Sequence, residues 1–287
     1  MLLPFKQVDV FTVTPFKGNP VAVIFDADGL SDAQMQTISN WTNLSETTFV
    51  VKPTDPRADY RVRIFTPQME LRFAGHPTLG TAHALLERGL TPHSPGRLWQ
   101  ECGVGLVEVR QDDDGSLAFK APDARWREVE REHWPSLARA LGAERLEDNP
   151  PPQIVDIGVA WILCRLRDGE ACLALCPDFA ALTRLSEQFG VGGVATFGEL
   201  GPQTGAAYEV RCFAPADGIN EDPVTGIANA CLALYLQRTG MAPAQGYRVR
   251  QGAAMGRTGQ IDVRYRDDGV WVGGHSVTCV DGTLRPR

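Results

Sequence analysis

Residues 75–84 read GHPTLGTAHA and residues 221–230 read EDPVTGIANA. Aligned on proline and glycine they share the frame x-Pro-x-x-Gly-x-Ala, with His76 in one copy where Asp222 stands in the other. The likeness extends upstream: Arg-Ile-Phe-Thr-Pro (63–67) precedes the first copy and Arg-Cys-Phe-Ala-Pro (211–215) the second, with eight and six residues before His76 and Asp222. A strand–loop–helix unit repeated once per half indicates two related domains. The helices after the two corners, TLGTAHALL and TGIANACLALYL, are small or apolar nearly all round. A surface helix shows a polar face, so each of these is expected to be wrapped by a sheet.

The rest of the chain fits that frame. KQVDVFTV and NPVAVIF form a hairpin, Ser31 caps a helix over DAQMQTISNWTN, and ETTFVV and YRVRIFTP are strands. WQECGVGLVEVR and SLAFKAP add further strands. After Pro122 the charged segment DARWREVEREHWPSLARALG reads as a helix and EDNPPPQ as a loop. IVDIGVAWILCRL then reads as one strand, followed by a helix (DFAALTRLSEQFG), two strands and the second apolar helix. The expected fold class is α+β, with two pseudo-symmetric domains, each a curved mixed sheet around a central helix. The domains are residues 1–120, joined by a C-terminal strand at 277–287, and residues 121–276.

Bulk properties exclude several functions. At 287 residues and 43% hydrophobic composition, the chain supports two cores. A net charge of −7 without a Lys/Arg block argues against a nucleic-acid or membrane surface. MLLPFKQVDVFTV lacks a signal-peptide pattern and no apolar run is long enough to span a bilayer, so a cytoplasmic location is expected. Seven scattered cysteines lack zinc-ligand spacing and read as buried thiols.

The corners carry the chemistry. Each is expected to place its ionisable residue just before a proline at the first helical position. Helix N-termini expose unpaired N–H groups and attract carboxylates. Two such ends, one per domain, are expected to face one another across a cleft, with Gly75, Gly80 and Gly226 permitting close backbone approach. Capping alone also accounts for Asp222, whereas histidine is a poor cap and His76 points more directly to function. Glu46, in NLSETTFVV, is either a solvated strand end or a cleft acid. In a cleft, burial raises its pKa toward neutrality, where one carboxyl both accepts and donates a proton.

FKGNPVAV, NLSETTFV, RIFTPQMELRFAGHPTLGTA, GVAWILCRL, VRCFAPADGINEDPVTG and QGAAMGRTGQI occur in this order over nearly the whole chain. In these the sequence resembles the PhzF-type phenazine biosynthesis isomerase family, of diaminopimelate epimerase-like fold. The resemblance implies an isomerase acting on trans-2,3-dihydro-3-hydroxyanthranilate or a similar small carboxylate. It implies no metal or organic cofactor, and a homodimer. Carried over by motif, Glu46 is the acid/base, and His76 and Asp222 join it in the catalytic set. Asn19, Ser45, Gly75, Gly80, Thr81, Gly226 and Ile227 are the expected substrate-binding positions. One departure bears on substrate: phenazine members read DPxTGSA where this chain has Ile227, which removes a hydrogen-bonding hydroxyl, and Thr81 retains one at the matching place of the first copy. Two alternatives remain: a ligand-binding or interaction protein that keeps the fold without turnover, and an amino-acid epimerase. The cysteine pair of the related racemases is missing from both corners. QGAAMGRTG reads as a hairpin turn or, through Arg257, as an anion site.

Overall fold

The computed structural model describes residues 2–286. The chain divides into two compact units, Met1–Lys120 with Gly273–Arg287, and Ala121–Val272. The return to the first unit thus falls at Gly273, four residues before the expected 277.

In the first unit, β1 (Leu3–Val10) and β2 (Asn19–Ile24) pair antiparallel. Helix α1 (Asp32–Thr42) follows, started by a capping box in which Ser31 Oγ accepts from Gln34 N–H while the Gln34 side chain accepts from Ser31 N–H. It stops at Asn43 in the left-handed conformation (φ 53°). The β-branched run Glu46–Val51 (β3) lies parallel to β2 and antiparallel to β4 (Tyr60–Phe65). Strand β4 pairs with the short β5 (Glu70–Leu71), then, beyond helix α2 (Gly75–Glu87), in parallel with β6 (Arg97–Cys102). Strands β7 (Gly105–Gln111) and β8 (Leu117–Lys120) continue antiparallel, and the C-terminal strand Ser276–Leu284 pairs with β1.

The second unit repeats this pairing element by element. After β9 (Arg125–Glu128) and α3 (Trp134–Leu141), strands β10 (Gln153–Asp156) and β11 (Ala160–Arg165) form the hairpin. Helices α4 (Gly169–Leu173) and α5 (Phe179–Phe189) lead to β12 (Gly193–Glu199), parallel to β11. Strand β13 (Tyr208–Ala214) is antiparallel to β12 and to β14 (Ile219–Asp222). Past α6 (Gly226–Arg238), β15 (Gly246–Gln251) joins β13 in parallel and β16 (Gly259–Arg266) joins β15 antiparallel.

Within each unit one sheet face covers the apolar helix. The first two turns of α2 and nearly all of α6 are buried, as expected from their lack of a polar face. The opposite face is covered by α1, over Ile24, Phe49 and Phe65, or by α3 and α5, over Ile162, Val194 and Phe213. Phe65 packs edge-on against Phe49 at 5.5 Å.

Two sequence expectations are corrected. The segment after Pro122 is not all helix: the alternating Arg125–Glu128 pairs with β10, and only Trp134–Leu141 is α-helical. The expected single strand over IVDIGVAWILCRL is a hairpin, turned at Gly158 with φ 112°, a conformation that glycine alone adopts without strain.

Candidate active site

Strand β3 starts at Glu46, which pairs with Val21. Residues paired in this way share a sheet face, so Glu46 points toward α2 as Val21 does. The Val21 side chain fits there because α2 presents Gly80, where an added Cβ would stand 2.4 Å from Val21 Cγ1 and 2.9 Å from Val10 Cγ2. Close helix–sheet packing accounts for this glycine without a ligand. Two residues beyond Glu46, Thr48 Oγ1 accepts from Thr81 Oγ1 at 2.9 Å and donates to the Ala22 carbonyl. The Thr81 hydroxyl therefore ties helix to sheet inside the fold.

This packing brings Glu46 to the first turn of α2. Glu46 Oε2 lies 3.3 Å from His76 Nε2, without the alignment of a hydrogen bond. The Glu46 side chain is 13% exposed and that of His76 6%. Burial drives the His76 pKa down to about 3, against a weaker upward pull from the Pro20 carbonyl, so the ring is neutral at physiological pH. Asn19, fully buried at the start of β2, places Nδ2 3.3 Å from His76 Nδ1, and Ser45 Oγ donates to Asn19 Oδ1 at 3.4 Å. Helix α2 begins at Gly75 after Ala74, which supplies no side-chain cap. The partial positive charge of that end is directed at the same site. Glu46, His76, Asn19, Ser45 and Gly75 thus come together in one unit.

The corner geometry differs from the expected one. His76 and Pro77 are the second and third residues of α2 rather than its cap and first residue. Asp222 ends β14, and α6 starts four residues later, at Gly226. Asp222 is 8% exposed and its Oδ2 accepts from Thr225 Oγ1 at 2.5 Å. Gln251 Nε2 donates to the Asp222 carbonyl (3.0 Å) and to Thr225 Oγ1 (2.9 Å), and Gln251 Oε1 accepts from Thr225 N–H (3.0 Å). The Thr225 hydroxyl is committed to Asp222, so the helix cap residue forms no side-chain cap. Nothing local in the sequence signals Gln251, which is 26 residues away from Thr225.

These positions change the internal alignment. Arg63 grips Glu70 through two hydrogen bonds (2.8 and 2.7 Å), and Arg211 grips Glu221 in the same way (2.9 and 2.8 Å). Each helix starts five residues beyond its glutamate, at Gly75 or Gly226, and each is 13 residues long. His76 therefore corresponds to Ile227 rather than to Asp222, and Thr81 is not the counterpart of Ile227. Ile227 itself is buried. Strand register carries the comparison to Glu46. Thr47 opposes Phe65 and Val194 opposes Phe213, so the counterpart of Glu46 is Gly193. A Cβ there would lie 2.3 Å from the Phe213 carbonyl and 2.7 Å from the Trp161 ring. The duplicated frame carries the carboxylate in one half only.

The QGAAMGRTG segment forms the turn between β15 and β16, with Arg257 N–H bonded to the Gly252 carbonyl at 2.9 Å. All seven cysteines are free thiols. Among the described residues, no three His, Cys, Asp or Glu side chains gather as a metal site.

A family model described as phenazine biosynthesis-like protein matches residues 8–282. The chain belongs to the phenazine biosynthesis-like (PhzC-PhzF) family. It is 39% identical over 290 residues to antisense-enhancing sequence 1 of Schizosaccharomyces pombe, covering 97% of both proteins. It is 35% identical over 288 residues to trans-2,3-dihydro-3-hydroxyanthranilate isomerase of Pseudomonas fluorescens, covering 96% of this chain and 97% of that one. The crystal structure of the PhzF-family phenazine biosynthesis protein of Bacillus anthracis superposes with a TM-score of 0.87 at 23% identity, over 99% of each chain. The α+β fold expected from the sequence is that of this family, and the chain is an isomerase.

Proposed function

We propose that this PhzC-PhzF isomerase moves a proton between two carbons of a small carboxylate-bearing substrate, cyclic or an aromatic precursor, without a cofactor. The observation that carries this reading is the Glu46 carboxyl held 3.3 Å from a buried, neutral His76 at an uncapped helix start. The Glu46 carboxylate takes a proton from one substrate carbon, and the electron pair of the broken C–H bond passes into the adjoining π system. The protonated carboxyl then returns that proton to a second carbon, so one acid serves both half-reactions. His76 and the helix end stabilise the negative charge that develops between the two steps. Asp222 serves the same reaction as a second ionisable participant, and Gly226 and Ile227 as substrate contacts. A two-base epimerase is the weaker reading, because the second unit holds Gly193 at the position of Glu46.

The test incubates the protein with trans-2,3-dihydro-3-hydroxyanthranilate and a panel of cyclic carboxylates in D₂O, with deuterium uptake followed by NMR. Wild type exchanges a substrate C–H position. Glu46→Gln lowers that rate by about 10²–10⁴-fold, the usual contribution of a positioned general base, and Asp222→Asn lowers it less. Exchange at the wild-type rate in Glu46→Gln refutes the role of Glu46. Ligand binding without any deuterium uptake favours a non-catalytic binding protein. We further infer, from the family resemblance, a cytoplasmic homodimer, which sedimentation of the purified protein tests for assembly and fractionation for location. No helix among the described residues is long and apolar enough to cross a membrane.

A further inference from the structure

A neutral imidazole carries its proton on either ring nitrogen, and the two tautomers do opposite chemistry toward a neighbour. At His76 the Asn19 side chain favours one of them, with the Pro20 carbonyl as the competing partner of the ring. The Asn19 amide presents Nδ2 to His76 Nδ1 at 3.3 Å and Oδ1 to the Ser45 hydroxyl at 3.4 Å. An amide NH₂ only donates, so Nδ1 accepts and the ring proton resides on Nε2. Asn19 is fully buried and His76 nearly so, which keeps bulk water from competing for either atom. Nε2 is the atom 3.3 Å from Glu46 Oε2, and its misalignment leaves its N–H for another acceptor.

We propose that Asn19, through its Nδ2 contact to Nδ1, is a positioning residue that holds His76 in its Nε2–H tautomer. The consequence rests on Glu46 being the acid/base. With Nε2 already protonated, His76 donates to a substrate oxygen gaining negative charge but does not take the proton that Glu46 has lifted. That proton stays on the carboxyl until it returns to carbon. An Asn19 acting on the substrate directly would leave the tautomer unspecified.

Long-range ¹H–¹⁵N correlation spectra of the ¹⁵N-labelled, ligand-free full chain test this. The His76 signals are identified among the five histidines by their loss in His76→Gln. Wild type shows an unprotonated Nδ1 and an N–H-bearing Nε2. Asn19→Asp, whose carboxylate only accepts, reverses the two. A protonated Nδ1 in wild type, as a bond to the Pro20 carbonyl would produce, overturns the proposal, as does an unreversed tautomer in a folded Asn19→Asp protein. The wild-type spectrum decides by itself if that variant fails to fold. The spectra involve no turnover, so an Nε2–H tautomer beside a fully active Glu46→Gln sinks the acid/base reading and leaves this assignment standing.

Discussion

At the scale of single residues, His76 shows burial prevailing over charge. A carboxyl 3.3 Å away would favour the imidazolium, yet loss of hydration holds the ring pKa at about 3, below its ordinary 6.5. The depressed value sets the sign of a pH effect. Between about pH 6.5 and 3 the unfolded chain binds a proton at this histidine that the folded chain does not. The stability from a neutral His76 is present above pH 6.5 and is lost as pH falls through that window, at roughly 1.4 kcal/mol per pH unit. Urea unfolding from pH 4.5 to 6.5 should show His76→Gln with a shallower dependence on pH than wild type, by one proton. Equal slopes would mean that the folded ring already carries its charge. Glu46 and His76 were legible from their residue types and motifs. The Asn19–His76 contact was not, because it joins a strand start to a helix start 57 residues away.

At the scale of elements, the two apolar helices were legible because no polar face appears at any helical angle, and strand pairing encloses both. Their starting residues were not. Matching prolines and glycines set His76 opposite Asp222, but the first turn is decided by hydrogen bonds and register that local pattern does not encode. Asp222 is held in strand by its pairing with Cys212 and by the Thr225–Gln251 network, which delays α6 to Gly226. The hairpin at Gly158 was missed for a related reason, since two short buried strands and one longer strand give the same apolar run. The sequence offers Gly80 as a place for close ligand approach, whereas in the fold Val21 and Val10 fill the space beside it. Gly80→Ala would gain helix propensity of about 1 kcal/mol, but its methyl would overlap Val21 Cγ1. Overpacking costs roughly 1–3 kcal/mol, so a net loss of stability is expected. Val21→Ala removes the overlapped methyl, so the double variant should be less destabilised than the two single losses added together. Simple additivity in denaturant titrations would show that Gly80 does not set the helix–sheet distance.

At the scale of the whole molecule, duplication was legible in Arg-x-Phe-x-Pro and in the two corners, and it extends further than those motifs. Every strand pairing from the first hairpin to the strand after the central helix recurs, and so does the Arg–Glu grip that marks equivalent positions. What diverged is the content. Glu46 has no acid counterpart, since Gly193 lies against the Phe213 carbonyl and the Trp161 ring. A frame built twice with one carboxylate suits a proton that leaves and returns through the same group. The Arg–Glu pairs diverged in burial, which makes the duplication testable as an internal control. The side chains of Arg63 and Glu70 are 22% and 43% exposed, whereas those of Arg211 and Glu221 are 6% and 11%. Arg63 also has Asp32 at 2.6 Å as a second partner. Arg211 directs its other guanidinium nitrogen to the Cys172, Leu173 and Leu175 carbonyls, holding the end of α4. An exposed pair contributes about 1 kcal/mol or less, whereas removing one partner of a buried pair strands the other charge at roughly 3–5 kcal/mol. Glu221→Gln should therefore lower unfolding free energy several times more than Glu70→Gln, although both remove the same contact from the same motif. The amide retains one acceptor for the guanidinium, so the loss should fall toward the lower end of that range. Equal losses in the two variants would mean that solvent reaches Arg211 as readily as Arg63.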